Sequence, residues 1–228
     1  GAVGRELIAG SEKAIADNIS SDGDSLVVFN TLGFTRTSVA VTDIPVEGDF
    51  HITDVYGKTV PSQISHCGKL VFLAEDVPAK GYKTFRIVRG KADEDSGVKV
   101  SGCTFENAFY RVSFDENRNI SSYFDIETGR AVAPEKAALG RLIAYEDRAH
   151  NHEAWDIKCY YGEKFWNIDN VKASEIIENG AVRTVMKVER EFNLSTITQY
   201  FIFYPHTARI DVFYDIDWHE KRIALKAD

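Results

Sequence analysis

The residues best suited to chemistry are concentrated in one segment, Tyr145 to Trp166, with the sequence YEDRAHNHEAWDIKCYYGEKFW. This segment contains two of the six histidines and two of the three tryptophans, together with several carboxylates. His150, His152 and Glu153 form an H-x-H-E pattern, and zinc takes imidazole nitrogen and carboxylate oxygen as ligands. The sequence does not identify the remaining ligands of a tetrahedral site, so a solvated histidine pair is the favoured interpretation.

The aromatic residues of the same segment suggest a different chemistry, the binding of a sugar. An aromatic face packs against the C–H groups of a sugar ring, and a carboxylate accepts hydrogen bonds from its hydroxyls. Trp155 and Asp156, which are adjacent in the run EAWD, are the pair we favour for this role. Trp166 is predicted to fill the hydrophobic core instead.

A second group of polar residues lies near the end of the chain, in the run RIDVFYDIDWHEKR. Asp215, Asp217 and His219 alternate with apolar residues, and this face could offer an acid and a base for catalysis. Such a row is more often the solvated side of an antiparallel sheet. The sequence contains no G-x-S-x-G elbow, P-loop or dinucleotide-binding fingerprint.

Composition indicates a soluble globular protein that is rich in strands. The 228 residues are 44% hydrophobic and 12% aromatic, which favours β structure. A net charge of -8 argues against a nucleic-acid partner, and no run is long enough to span a membrane. The N-terminus shows no signal peptide, and three widely spaced cysteines are predicted to be small core residues in a reducing, cytoplasmic compartment.

The pattern of apolar residues divides the chain into three parts that must position these side chains. Residues 1–22 have helical spacing and are predicted to form one amphipathic helix, either the end of a longer helical region or a cap on the β core. Six short runs rich in β-branched and aromatic residues follow within 25–90 and predict a small antiparallel sandwich. The charge-rich stretch 91–97 is the predicted domain boundary.

Residues 98–228 have longer strand patterns, which predict a second and larger β-sandwich. In the run AVRTVMKVEREF, Val182, Thr184, Met186 and Val188 are predicted to share one face, opposite Arg183, Lys187 and Glu189. The segment 145–166 is the part of this region in which apolar residues follow neither the helical nor the strand period. Long irregular loops of this kind are usually functional or disordered, and the large aromatic residues argue against disorder.

Three motifs together resemble a known family. VVFNTLGFTR near the start, YEDRAHNHEAWDIKCYY in the middle and RIDVFYDIDWHEKR at the end are similar, in order and spacing, to glycoside hydrolase family 38, the class II α-mannosidases. The resemblance runs from about Ser25 to the last residue and covers the region C-terminal to the catalytic barrel. It implies a mainly β fold: a small antiparallel sandwich, a larger mutarotase-like supersandwich portion and one N-terminal helix.

The resemblance also implies where catalysis takes place. Family members are retaining glycosidases with an aspartate nucleophile, a second carboxylate as acid/base, and a zinc ion that contacts the mannose hydroxyls. The nucleophile and zinc ligands belong to an N-terminal barrel that begins with an H-x-D metal pair, and none of the six histidines here starts an H-x-D. We therefore expect no catalytic residue and no metal ligand in this chain, and no activity of the chain alone. The expected partners are that barrel and an α-mannoside.

By the same resemblance, the 145–166 segment helps to wall the sugar pocket, with Arg148, His152, Trp155 and Asp156 as substrate-contacting residues. Two other interpretations stay open. The chain could be a free-standing carbohydrate-binding sandwich, or an epimerase in which His219 and Asp217 act as acid and base. The sequence also leaves open the linkage preference and the oligomeric state, a homo-oligomer included.

Overall fold

The computed structural model describes residues 2–20, 24–90, 97–133, 138–148, 151–152 and 159–228. These residues form one helix near the N-terminus and nineteen strands, which pair as five antiparallel sheets. The mainly β fold with an N-terminal helix, predicted from the sequence, is therefore confirmed. The chain divides into two compact units, one of residues 1–95 with 180–182 and one of residues 96–179 with 183–228. Within the described residues, no helix has the length and hydropathy needed to cross a membrane.

Helix α1, Ala2–Ala16, forms as its apolar spacing predicts but ends before residue 22. Beyond it, the Asn18 side chain donates to the Ala14 carbonyl over 2.8 Å, and this bond competes with continuation of the helix. The helix buries none of its side chains, although it is amphipathic. Its apolar stripe is largely exposed, with Val3 at 70% and Leu7 at 67%.

The first unit is a sandwich of two sheets, and all six predicted runs form strands in it. One sheet has the order β1-β7-β3-β4 and the other β2-β6-β5. The run KTVPSQIS is divided at Pro61, which has no N–H to donate, and its two halves join different sheets. The strands are β1 Ser25–Asn30, β2 Arg36–Thr42, β3 Phe50–Asp54, β4 Thr59–Val60, β5 Ser62–Ile64, β6 Leu70–Val77 and β7 Gly81–Arg89.

The core of the first unit lies between these two sheets. Phe72 of β6 and Phe85 of β7 meet edge to face, with ring centroids 5.1 Å apart, and both are fully buried. Aromatic pairs of this geometry contribute about 1 kcal/mol beyond the area they bury. The remaining buried members of this core are Leu26, Ile52, Val60, Leu70, Ala74 and Val77.

The second unit contains three sheets. The first has the order β12-β11-β10-β9-β8, the second β15-β16-β17-β18 and the third β14-β13-β19. Their strands are β8 Lys99–Ser101, β9 Thr104–Glu106, β10 Tyr110–Phe114, β11 Ile120–Asp125, β12 Arg130–Ala131, β13 Leu142–Glu146, β14 Phe165–Asn167, β15 Val171–Asn179, β16 Thr184–Phe192, β17 Ser195–Phe203, β18 Ile210–Asp217 and β19 Ile223–Ala227.

The main core of the second unit is built from the first and second of these sheets. Phe105 of β9 stacks on Phe203 of β17 with ring centroids 4.1 Å apart. On β16, Thr184, Met186 and Val188 are buried, which confirms the predicted inward face of that strand. The same alternation also turns Arg190 inward, where only 1% of the residue remains exposed.

Two single residues shape the chain between strands. Gly97 has a φ of 64°, and a Cβ at this position would meet Pro205 Cβ at 2.5 Å, so only glycine fits. The rest of the predicted boundary, residues 91–96, lies outside the described residues. Asn107 ends β9, because its Oδ1 accepts from the backbone N–H groups of Phe109 and Tyr110 at 2.8 and 2.9 Å.

The cysteines do not all behave as predicted. Cys67 and Cys159 are exposed, and Cys103 is partly buried among the apolar residues of the second unit. The prediction that all three are core residues is therefore wrong for two of them. All three lie in turns or in a short 3₁₀ segment and not on strands, so the apolar pattern of the strands does not determine their burial.

Candidate functional site

The irregular segment is shorter than the predicted 145–166, because Tyr145 belongs to β13 and Phe165 and Trp166 belong to β14, two paired strands of the third sheet in the second unit. Residues 147–163, which lie partly outside the described residues, are called the 147–163 loop. β13 and β14 are antiparallel, with Tyr145 opposite Phe165 and Ala144 opposite Trp166. The backbone N–H of Glu146 donates to the Lys164 carbonyl over 3.0 Å, which closes the ladder at the root of the loop. β13 also pairs with β19 along its whole length, so the loop has a firm base. A surface loop with adjoining ends is a common carrier of function.

The Glu146 carboxylate ties the two ends of this loop together. Its Oε1 accepts from Lys164 Nζ over 2.8 Å and from an Arg148 guanidinium nitrogen over 2.9 Å. The hydrogen bond from Lys164 lowers the pKa of Glu146 most, and Arg148 adds to this effect while burial acts against it. The carboxylate is thus held ionised between two cations at the point where the chain leaves the sheet.

Arg148 is fixed at its backbone as well as at its side chain. The Tyr160 hydroxyl donates to the Arg148 carbonyl over 3.0 Å. Tyr160 belongs to a 3₁₀ turn, Cys159–Glu163, that leads into β14. The Arg148 side chain is 71% exposed, so its guanidinium is held at the root of the loop and still faces solvent.

His152 is the other predicted site residue that the structure describes. It is exposed and has a φ of 59°, in the left-handed region that few residues other than glycine adopt. Trp155 and Asp156 lie outside the described residues, as do His150 and Glu153 of the H-x-H-E pattern.

One face of the loop's base is aromatic and carries a cation. The Tyr145 ring lies 5.0 Å from that of Tyr161 and 5.9 Å from that of Phe165. Lys226 of β19 donates from Nζ to the Tyr161 hydroxyl over 2.7 Å and lies 4.2 Å from its ring centroid. Phe165 remains 52% exposed. The combination of exposed aromatic surface with hydrogen-bond donors suits a carbohydrate.

Trp166 points to the other face of β14 and does not fill the core as predicted. It is 36% exposed, and the Lys164 ammonium lies 5.1 Å from its ring. Its ring contacts Phe192 at 6.2 Å, and Phe192 stacks on Trp218 with an interplanar angle of 3°. β14 is an edge strand, which explains the exposure, because nothing in the third sheet lies beyond it.

The second candidate pair, Asp217 and His219, is in direct contact at the surface. His219 Nε2 lies 3.0 Å from Asp217 Oδ1, and both side chains are more than half exposed. Ser195 is nearby, but its hydroxyl accepts from the His219 backbone N–H and donates to Glu220, each over 2.9 Å. The imidazole therefore does not activate this serine. An epimerase needs an acid and a base that face each other across a substrate, and this pair is instead in direct contact.

No metal site can be built from the part of the chain that the structure describes. Within that part, no three side chains of histidine, cysteine, aspartate or glutamate lie close enough to hold an ion. The described residues therefore do not fit the zinc that the sequence resemblance implies for the longer enzyme.

The sequence analysis proposed Arg148 and His152 as site residues and did not name Glu146, Lys164 or Lys226, which the structure places beside them at the base of the loop. Glu146 and Lys164 are eighteen positions apart in the sequence, and they meet because β13 pairs with β14. Lys226 comes from a third strand that follows much later. One pattern in the sequence could have indicated Glu146 and Lys164: a charged residue lies at each end of the long irregular segment.

Comparisons with known proteins agree with this structure. The family model described as the C-terminal domain of glycosyl hydrolases family 38 matches residues 105–228. The fold is similar to that of an α-mannosidase from Enterococcus faecalis, with a TM-score of 0.72 and 16% sequence identity. That similarity covers 98% of this chain but 34% of the solved chain, so this chain spans about a third of the length of that protein. A search of curated proteins found no match.

Proposed function

The chain belongs to glycosyl hydrolase family 38, whose C-terminal domain it contains, and we propose that it is the β-rich, non-catalytic region of an α-mannosidase. In this proposal the longer enzyme hydrolyses α-mannosides with retention, and its nucleophile, acid/base and zinc ion belong to an N-terminal catalytic barrel. This chain contributes the 147–163 loop, which helps to wall the sugar pocket. The enzyme works in the cytoplasm.

The arrangement of Arg148 is the observation that carries this proposal. Its guanidinium is held by Glu146 on a firm strand and still faces solvent, at the root of a loop rich in aromatic and acidic residues. A preorganised donor of this kind can bind sugar hydroxyls without first losing side-chain freedom. His152, Trp155 and Asp156 complete the set of proposed sugar contacts.

The proposed division of labour gives the chain's residues binding roles and no part in bond cleavage. Arg148 and His152 donate hydrogen bonds, Asp156 accepts them, and Trp155 offers a flat apolar face to the sugar ring. Such contacts position the substrate for chemistry that takes place on another domain. When bound in the longer enzyme, the zinc ion would polarise mannose hydroxyls, and no residue described here supplies its ligands.

The test uses the full-length enzyme and the variants Trp155→Ala and Asp156→Ala. Both should lower kcat/KM for an aryl α-mannoside at least tenfold, in proportion to lost contacts of about 1.4 kcal/mol or more, while the zinc content stays unchanged. Phe213→Ala is the matched control, because Phe213 is 60% exposed on β18, in a different sheet. Near-normal kinetics in both loop variants would show that the loop is only scaffold.

A second candidate function is a free-standing carbohydrate-binding module. The exposed aromatic face around Phe165 and Tyr161 favours it, because such faces bind sugars without a catalytic partner. Calorimetric titration of this chain with mannose and with α-linked mannobiose distinguishes the two. Millimolar or tighter binding by the chain alone supports the module, whereas the pocket-wall proposal predicts no measurable heat until the barrel is present.

A further inference from the structure

We propose that Glu146 is a positioning residue, which orients the Arg148 guanidinium toward the hydroxyls of the bound sugar. This inference rests on the proposed function of the loop and adds to it a residue that touches neither the substrate nor the reacting atoms. Its action would pass entirely through Arg148.

Glu146 is held in a fixed position by its strand. Glu146 is the last residue of β13, and its backbone is fixed by pairing with Ile223 of β19 and by the bond to Lys164. Its side chain is only 21% exposed, and its carboxylate accepts from both Lys164 and Arg148. A group on a strand with a locked side chain holds its partner more accurately than one on a loop.

The ion pair between Arg148 and Glu146 affects the freedom of the arginine side chain more than the stability of the fold. The Arg148 side chain is 71% exposed, and pairs of this exposure add little to folding stability. The same contact nevertheless removes rotamer freedom from a long side chain before any ligand arrives. The consequence of the pair is therefore a preorganised donor, and its loss should appear in substrate affinity and not in stability.

The contact with Glu146 leaves most donors of the Arg148 guanidinium available to a sugar. A guanidinium carries five N–H donors, and Glu146 accepts from one terminal nitrogen of Arg148. The remaining edge of the fork can meet adjacent hydroxyls of a sugar. The Tyr160 hydroxyl donates to the Arg148 carbonyl at the same time, so the backbone and the side chain of Arg148 are held by separate contacts.

A double-mutant cycle in the full-length enzyme tests this inference with Glu146→Gln, Arg148→Ala and the two combined. Arg148→Ala should raise KM for an aryl α-mannoside about tenfold, as expected for a lost charged hydrogen bond. Glu146→Gln should raise KM about threefold with kcat unchanged, and the double variant should be no worse than Arg148→Ala alone. The melting temperature should stay within about 2 °C for both single variants.

The matched control is Glu106→Gln, which removes the carboxylate of another exposed glutamate–arginine pair, Glu106 with Arg111, on the first sheet of the same unit. It should leave KM unchanged. Glu146→Asp keeps the charge on a shorter side chain, so it should raise KM less than Glu146→Gln does. If the Glu146→Gln variant folds poorly, Glu146→Asp takes its place in the cycle.

The outcomes separate the two proposals. If Arg148→Ala raises KM but Glu146→Gln does not, or if their effects simply multiply, Glu146 has no positioning role and the pocket-wall function stands. If Arg148→Ala, Trp155→Ala and Asp156→Ala all keep a normal KM, the pocket-wall function is wrong and the role of Glu146 falls with it.

Discussion

The fully buried guanidinium of Arg190 on β16 donates from Nε to the Gln199 side-chain oxygen on β17, over 2.6 Å. Its terminal nitrogens donate to the carbonyls of Ile168 and Arg118, each over 3.1 Å. Burial lowers the pKa of Arg190, and the carboxylates of Asp169 and Asp115 act in the opposite direction. One side chain thus joins β17, the chain after β14, and the turn between β10 and β11.

Replacing this arginine should destabilise the protein strongly. Arg190→Met keeps much of the apolar stem but leaves Gln199 and two backbone carbonyls without their donor, so the free energy of unfolding should fall by about 3 kcal/mol. Urea denaturation of the wild-type and variant proteins measures this change in the free energy of unfolding. Arg130→Met, at an exposed position on β12, is the control and should change stability by less than about 0.5 kcal/mol. Equal effects from the two variants would contradict the assigned role.

The sequence predicted strands and faces well but not which polar residues would be buried. The period of β16 places Val188 inward and, two residues on, Arg190, yet charge alone argues for the opposite face. The turn at Asn107 and the sheet change at Pro61 depend on hydrogen bonds that a pattern of apolar residues does not encode. For the same reason, the contact between Glu146 and Lys164 could not be predicted from the sequence, because it depends on the pairing of β13 with β14.

The chain alone should not hydrolyse an aryl α-mannoside, with or without added zinc. The proposed catalytic carboxylates and metal ligands belong to another domain. In the acid–base pair considered from the sequence, Asp217 with His219, both side chains are exposed and in direct contact with each other. A fluorogenic mannoside assay on the purified chain checks this expectation. Turnover that survives purification and disappears on mutation of a residue in this chain would contradict it.

Limited proteolysis should cut first within 91–97 or within 145–160. The charged sequence of the first range, mostly outside the described residues, predicts an interdomain linker, and the second range includes the exposed side chains of Arg148 and His152. The long strands β16, β17 and β18 are protected by continuous pairing. Mass spectrometry of early fragments identifies the sites, and a first cut within β16 or β17 would be the contrary result.

Stability should depend on pH through Glu220. Burial raises the pKa of this carboxyl, but bonds from the Ser195 hydroxyl, the Leu194 N–H and the Asn193 amide outweigh it, so the pKa lies below its ordinary value of 4.5. Because the folded pKa is lowered, the stabilising effect is present above the ordinary value and is lost as pH falls through the folded one. His219 lowers this pKa further while it is charged.

The measurement compares melting temperatures of the wild-type protein and Glu220→Gln. The wild-type advantage should be present at about pH 7 and should shrink as the pH falls below 4.5 and through the lowered pKa of the folded state, because the carboxyl then becomes protonated. Glu127→Gln removes a carboxyl from the turn after β11 and should show no such trend. A difference between Glu220→Gln and wild type that stays the same across this range would show that the charge of Glu220 does not matter.

The closure of β13 onto β14 at Glu146 and Lys164 has an evolutionary consequence. Since the ladder is complete at that point, residues 147–163 can gain, lose or exchange amino acids without shifting the register of a single strand. The entropic cost of a longer loop between fixed ends grows only slowly with its length. The segment can therefore change in length and sequence while the strands that flank it keep their pairing, and under the proposed function such changes would alter the wall of the sugar pocket alone.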